Sequence, residues 1–188
     1  MYTTSASLLE RVRQRDDHEA WGQFVRLYTR FLYRCARQCG LEDADATDAV
    51  QDVFVLLLDK VGTFEIRAAG SFRGWLKKVT LNKCRERRRK RREIGVGGSD
   101  VEHDRTVDDD RLNQFWESEY AEHVVSRALQ LMHDEFEPTT WQACWQHIVE
   151  GRPAAEVAGN LGLSVSAVYT YSSRVLKRLR HELKDLME

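Results

Sequence analysis

SFRGWLKKVTLNKCRERRRKRR, residues Ser71 to Arg92, sets eleven Lys and Arg against a single acid, Glu86. Phe72, Trp75, Leu76 and Val79, with Leu81 or Cys84 completing the stripe, recur at helical spacing, so a helix should begin near Ser71. Core packing is the expected place for Phe72 and Trp75. Arg73, Lys77, Lys78, Asn82, Arg85 and Arg89 fall outside or beside that stripe, and the run RERRRKRR is too charged for any core. An amphipathic helix with one cationic side suits a polyanionic partner.

A second cationic element lies further on. In PAAEVAGNLGLSVSAVYTYSSRVLKRLRHEL, Pro153 to Leu183, a short apolar face (Val157, Ala158, Leu161) meets Gly162, which permits a sharp turn. Ser164 can then cap a longer helix whose inner stripe is Val168, Ser172, Val175, Leu179 and Leu183. The other side displays Ser166, Tyr169, Thr170, Ser173 and Lys177, with Arg174, Arg178 and Arg180 beside them. Such a helix-turn-helix can enter a major groove, reading base edges near its N-terminus and gripping phosphates with its arginines.

Between the two elements the charge inverts. From Glu93 to Asp110 seven acids face one base, Arg105, and Gly95, Gly97 and Gly98 add freedom. The expectation is a flexible acidic linker over 93–111, dividing a domain at 1–92 from one at 112–188. In the second domain the apolar period runs through Leu112, Phe115, Trp116, Val124, Val125, Leu129 and Met132. It resumes after Pro138 with Trp141, Cys144, Trp145 and Ile148 and ends at Gly151.

Upstream, Ser7 can cap a short helix carrying Leu8, Leu9 and Val12, and Asp16 and Asp17 mark the turn into a second. Trp21, Phe24, Val25, Tyr28, Phe31, Leu32 and Cys35 give that second helix one core face, with Gly40 as its stop. Asp45 and Asp48 open a third helix ending near Lys60. Val50, Val53, Phe54, Leu57 and Leu58 line its inner side, and Asp48, Gln51, Asp52, Val55 and Asp59 form an acidic stripe opposite. Residues 61–71, with two glycines, should form a loop.

At 188 residues with 42% hydrophobic content and two prolines, the chain fits an all-α fold of two small helical domains. A net charge of −1 conceals both cationic helices, so local charge is the informative quantity. Four cysteines in a chain of this length imply reduced, buried thiols rather than a disulfide framework. No window approaches a bilayer span, and MYTTSASLLERVRQRDD lacks an apolar signal core, so no membrane insertion and a cytoplasmic location are expected. No HxH, clustered carboxylate site or Ser/His/Asp pattern stands out, so neither an enzyme nor a bound cofactor or metal is expected.

DAVQDVF (Asp48 to Phe54), then SFRGWLKKVTLNKCRERRR, then EVAGNLGLSVSAVYTYSSRVLKRLR resemble, in order and spacing, the successive conserved blocks of bacterial sigma factors. The two-domain plan with a short linker is similar to the extracytoplasmic-function (ECF) group of the sigma-70 family. That resemblance implies a nonenzymatic subunit of RNA polymerase. It implies that Asp48, Gln51 and Asp52 dock on the coiled coil of the polymerase clamp. It further implies that the loop around Ile66, with Lys77, Lys78, Asn82 and Arg85, binds and melts the −10 element. Ser164, Ser166, Tyr169, Thr170, Ser173, Arg174 and Lys177 would read the −35 element. Partners so implied are core RNA polymerase, promoter DNA and the anti-sigma factor that such proteins often have. Two departures stand out: the Thr63 to Ser71 loop is longer than the common phenylalanine–arginine–glycine version, and Tyr169 and Tyr171 occupy positions where the family often has Lys or Arg. The competing reading is a stand-alone helix-turn-helix regulator that binds duplex operator DNA. It would need neither an acidic docking stripe nor a single-strand loop.

Overall fold

In the computed structural model, which describes residues 6–14, 16–61, 71–93 and 103–187, every regular element is helical. In chain order these are α1 (Leu8–Val12), α2 (His18–Gln38), α3 (Asp43–Lys60), α4 (Phe72–Glu93), α5 (His103–Met132), α6 (Pro138–Cys144), α7 (Ala154–Leu161) and α8 (Val165–Glu182). A 3-10 turn at His133–Glu135 follows α5, and a π-helical turn at Trp145–Val149 extends α6. The chain divides into two compact units, 1–124 with 185–188, and 125–184.

Local chemistry sets the helix ends of the first unit. Ser7 and Glu10 form a reciprocal capping box on α1. The Asp17 carboxylate accepts the Ala20 amide at 2.8 Å at the start of α2, and Gly40 takes the left-handed conformation (φ 75°) after its end. Helix α3 begins before the expected Asp45 cap: Glu42 is its N-cap residue, and Asp43 and Asp45 both sit in the first turn, where carboxylates suit the positive end of the helix.

Trp21, Phe24, Tyr28, Phe31, Leu32 and Cys35 are buried as their spacing predicts, with Leu27 beside them. Val25 and Leu58, expected inside, are exposed. Each follows a buried residue (Phe24, Leu57) by one position, about 100° further round the helix. Phe72, Leu76, Val79 and Cys84 of α4 close the core against α2 and α3, and Trp75 is half-buried. All four cysteines are buried and unbridged. Burial pushes the Cys35 thiol well up, and a hydrogen bond to Cys39 together with burial does the same for Cys84.

Of the expected 93–111 linker, residues 94–102 lie outside the described residues, and the described remainder is helical. Residues 103–111 belong to the first turns of α5, and the boundary between the compact units falls inside α5, after Val124. The cause is aromatic. Trp116 and Tyr120 are fully buried in the first unit, Trp116 packing edge-on to Phe31 with centroids 4.9 Å apart, and Phe115 stacks on Phe31 at 5.8 Å. The Tyr120 hydroxyl donates to the Leu186 carbonyl at 2.7 Å and meets the Tyr28 hydroxyl at 2.8 Å. The glycines, which favour a flexible chain, stop at Gly98, before α5 begins.

In the second unit, Ala143, Ala154, Val157, Ala158 and Val168 form one cluster, and Trp141, Cys144 and Val175 another. Pro138 opens α6 where its missing N–H costs nothing. Gly151 (φ 70°) ends the π-helical turn, and Gly162 (φ 65°) makes the turn from α7 into α8.

Candidate functional site

Three faces carry the candidate residues. On α3, Gln51, Val55, Leu58 and Asp59 are exposed, with Val55 at 66%. Asp48 and Asp52, expected to face outward with them, are instead half-buried against α4. Arg87 donates to Asp48 at 2.8 Å and to Asp52 at 2.7 and 2.9 Å, and Arg91 pairs with Asp45 at 3.4 Å. Going up α3 the partners go down α4, so the two helices run antiparallel, clasped by charge beyond Cys84, where the apolar stripe of α4 ends. The sequence carried a signal for this. The inward stripe Leu76, Thr80, Cys84 of α4 continues at helical spacing through Arg87 and Arg91, and Asp45, Asp48 and Asp52 repeat on α3 at the same spacing.

The second face is the cationic side of α4. Lys78, Asn82 and Arg85 are exposed and Lys77 is half-buried, all on the side away from Phe72 and Leu76. Ile66 lies outside the described residues. Two of the four are already paired: Lys77 donates to Glu117 at 2.9 Å, alongside Arg73 at 2.6 Å, and Arg85 pairs with Asp109. The hydrogen bond from Lys77 holds the Glu117 carboxyl below its ordinary range. Neither acid was singled out from the sequence, because Asp109 lay in the expected linker and Glu117 in the expected second domain.

The third face belongs to α8. Ser164 caps the helix through the Ala167 amide at 3.1 Å and meets the Ser166 hydroxyl at 3.0 Å. Thr170 donates to the Ser166 carbonyl at 2.8 Å, and Tyr169, 56% exposed, stands edge-on to His147. Ser164, Ser166, Tyr169, Thr170, Ser173, Arg174 and Lys177 are all exposed, opposite the buried Val168, Ser172, Val175 and Leu179. Arg178 departs from its expected role. It pairs with Glu135 at 3.1 Å and with the fully buried Glu182, so it neutralises an internal carboxylate.

A protein-family model described as Sigma-70 region 2 matches residues 24–94, the stretch that contains the α3–α4 clasp and the cationic face. RNA polymerase sigma factor NccH of Alcaligenes xylosoxydans xylosoxydans is 36% identical over 98 residues, 51% of each chain. ECF RNA polymerase sigma factor SigE of Mycolicibacterium smegmatis is 26% identical over 169 residues, 89% of this chain and 62% of that protein. Residues 24–94 are a sigma-70 region 2 stretch, and these matches support membership of the ECF group of the sigma-70 family. RNA polymerase sigma factor CnrH of Cupriavidus metallidurans is also similar, 36% identical over 76 residues, 40% of this chain and 39% of that one. The chain spans about half the length of NccH and 62% of SigE. The region 2 match ends one residue beyond α4, so the partner helix α5 lies outside the matched stretch. Among the described residues no helix is long and apolar enough to cross a membrane.

Proposed function

We propose that the protein is a sigma factor that binds core RNA polymerase and directs promoter recognition, strand opening and transcription initiation. The observation that carries this reading is the α3–α4 pair within the region 2 match: an α3 face with exposed Gln51, Val55 and Leu58, clasped to a helix whose other side is cationic. Gln51, with the outer edges of Asp48 and Asp52, docks the polymerase. Lys77, Lys78, Asn82 and Arg85, with the loop around Ile66, hold the −10 strand, since cations grip the backbone while polar and apolar groups receive unstacked bases.

The exposed face of α8 reads the −35 duplex as the second helix of a helix-turn-helix. Ser164, Ser166, Tyr169, Thr170 and Ser173 lie towards its N-terminal end, where base edges are met, and Arg174 and Lys177 reach phosphates. In this role the protein works in the cytoplasm, needs no cofactor or catalytic group, and offers its docking faces to an anti-sigma factor.

Run-off transcription with purified core RNA polymerase on genomic promoter fragments tests the proposal. Transcripts that depend on added protein, from defined start sites, are the expected result. Specific duplex binding by the protein alone, with no transcript when core enzyme is added, would replace it with a stand-alone regulator.

A further inference from the structure

Arg73, Lys77 and Arg85 lie on one stripe of α4, at steps of four and eight residues, over about 18 Å of helix. Each is met by a carboxylate from α5. Glu117 spans Arg73 at 2.6 Å and Lys77 at 2.9 Å, one oxygen to each, and Asp109 takes Arg85. A carboxylate that bridges two cations one helical turn apart presents the charge and acceptor geometry of a backbone phosphate.

We infer that Glu117 and Asp109 are built-in phosphate mimics, which occupy the cationic stripe of α4 and lower its affinity for single-stranded nucleic acid. This rests on the reading of α4 as a nucleic-acid face. Two features set how the mimics work. Trp116 and Tyr120 are fully buried, so α5 cannot lift from α4 without exposing two large aromatic rings. Yet the Glu117 side chain is 61% exposed, and exposed ion pairs contribute little to stability, so a carboxylate can swing away while its helix stays in place. Nucleic acid therefore competes with two side chains. Net counterion release is smaller than at a bare cationic stripe, because the displaced carboxylates take up cations as the phosphates give theirs up. Such a stripe favours a strand delivered at high local concentration, as in a polymerase-held complex, over random single strands.

The test is anisotropy of a fluorescein-labelled single-stranded DNA oligonucleotide with the full chain, across a salt series, for the parent and Glu117→Gln, Asp109→Asn, Glu119→Gln and Lys78→Ala. Glu→Gln and Asp→Asn keep shape, and circular dichroism checks that helicity is kept. Glu117→Gln should bind about three-fold tighter. Its log–log salt slope should steepen by about 0.7 to 1.4, as one or two phosphate contacts come to release counterions. Asp109→Asn should move both quantities the same way by one contact. Glu119 pairs with Arg34 of α2 at 3.1 Å, off the stripe, so Glu119→Gln should match the parent. An equal gain from Glu119→Gln would reduce the effect to net charge and overturn the inference. Parent-like binding by Glu117→Gln and Asp109→Asn, with weakened binding by Lys78→Ala, would overturn it and leave the α4 reading standing. Indifference of all four variants would remove the α4 reading and the inference together.

Discussion

Arg87 on α4 holds Asp52 on α3 by two hydrogen bonds to one carboxylate oxygen, from Nε at 2.9 Å and from Nη2 at 2.7 Å. Its third nitrogen reaches Asp48 at 2.8 Å. Burial opposes the charge on Arg87, but the hydrogen bond with Asp52 and the field of Asp52, Asp48 and Asp45 outweigh it and raise its pKa. The acids read as docking residues therefore also hold two helices together.

Docking and folding should accordingly separate by position. Asp52→Lys places two cations in contact and should lower stability by about 1 kcal/mol as well as weakening core-polymerase binding. Val55→Asp and Gln51→Ala alter exposed side chains and should leave stability within about 0.5 kcal/mol while core affinity falls. Thermal melts paired with a core-enzyme titration distinguish them. Full core affinity in both exposed-site variants would remove α3 as the docking helix.

The domain boundary makes a second prediction. A chain cut after Arg111, where the sequence suggested the first domain was already complete, loses Trp116 and Tyr120 and uncovers Phe31, and should melt well below one cut after Val124. In the full chain, Trp116→Ala should cost about 3–5 kcal/mol. Tyr120→Phe leaves the Leu186 carbonyl and the Tyr28 hydroxyl short of a partner and should cost about 1–3 kcal/mol. Equal melting of the two truncated chains would show that α5 adds nothing to this core.

How much the sequence could reveal follows from what each feature depends on. The all-helical class, the α2 face and the α8 stripe Val168, Ser172, Val175, Leu179 were legible because helical periodicity is local. The start of α5 was not. Acids and glycines between 93 and 110 read as a linker by composition, while the rings that order the later part, Trp116 and Tyr120, take partners from α2, some ninety residues earlier. Pairings such as Arg87 with Asp52 or Lys77 with Glu117 depend on which helices become neighbours. Charge pattern alone left Asp52 and Lys77 as outward-facing or flanking groups and gave Glu117 no role.

On α8, neighbouring arginines should behave oppositely. Arg174→Ala and Lys177→Ala should weaken −35 duplex binding, each reducing the salt slope by about 0.9, with stability unchanged. Substitutions at Tyr169 or Thr170 should shift sequence preference instead. Arg178→Ala strands the buried Glu182 carboxylate, one of whose oxygens already lacks a partner, and should cost about 3 kcal/mol of stability. Uniform loss of affinity on every sequence for all of these would mean that the recognition face is misassigned.

Acid sensitivity should appear at the start of α2. The hydrogen bond from Arg11, reinforced by the Ala20 amide, lowers the Asp17 pKa below its ordinary 3.8. A carboxyl depressed on folding contributes stability that is fully present above the unfolded value and is lost as pH falls through the folded one. Melting of the parent should therefore lose the Asp17 contribution below about pH 4, and Asp17→Asn should flatten that limb relative to the parent. Superimposable acid limbs for the two proteins would count against the capping role.

Strand opening should require core polymerase and fall most heavily on two residues of α4. Unstacking costs a few kcal/mol per base, which a small domain must recover from captured bases and from phosphates. Lys77 and Arg85 share their charge with Glu117 and Asp109, so their net gain on meeting a phosphate is reduced. Lys78 is exposed without an acid partner among the described residues, and Asn82, exposed one turn further on, can donate to and accept from a flipped base. Lys78→Ala and Asn82→Ala should leave closed-complex formation nearly intact and strongly reduce permanganate-reactive thymines near −10, with Lys77→Ala the milder of the three. Melting of duplex by the free protein, or full reactivity in the Lys78 and Asn82 variants, would place the opening chemistry elsewhere.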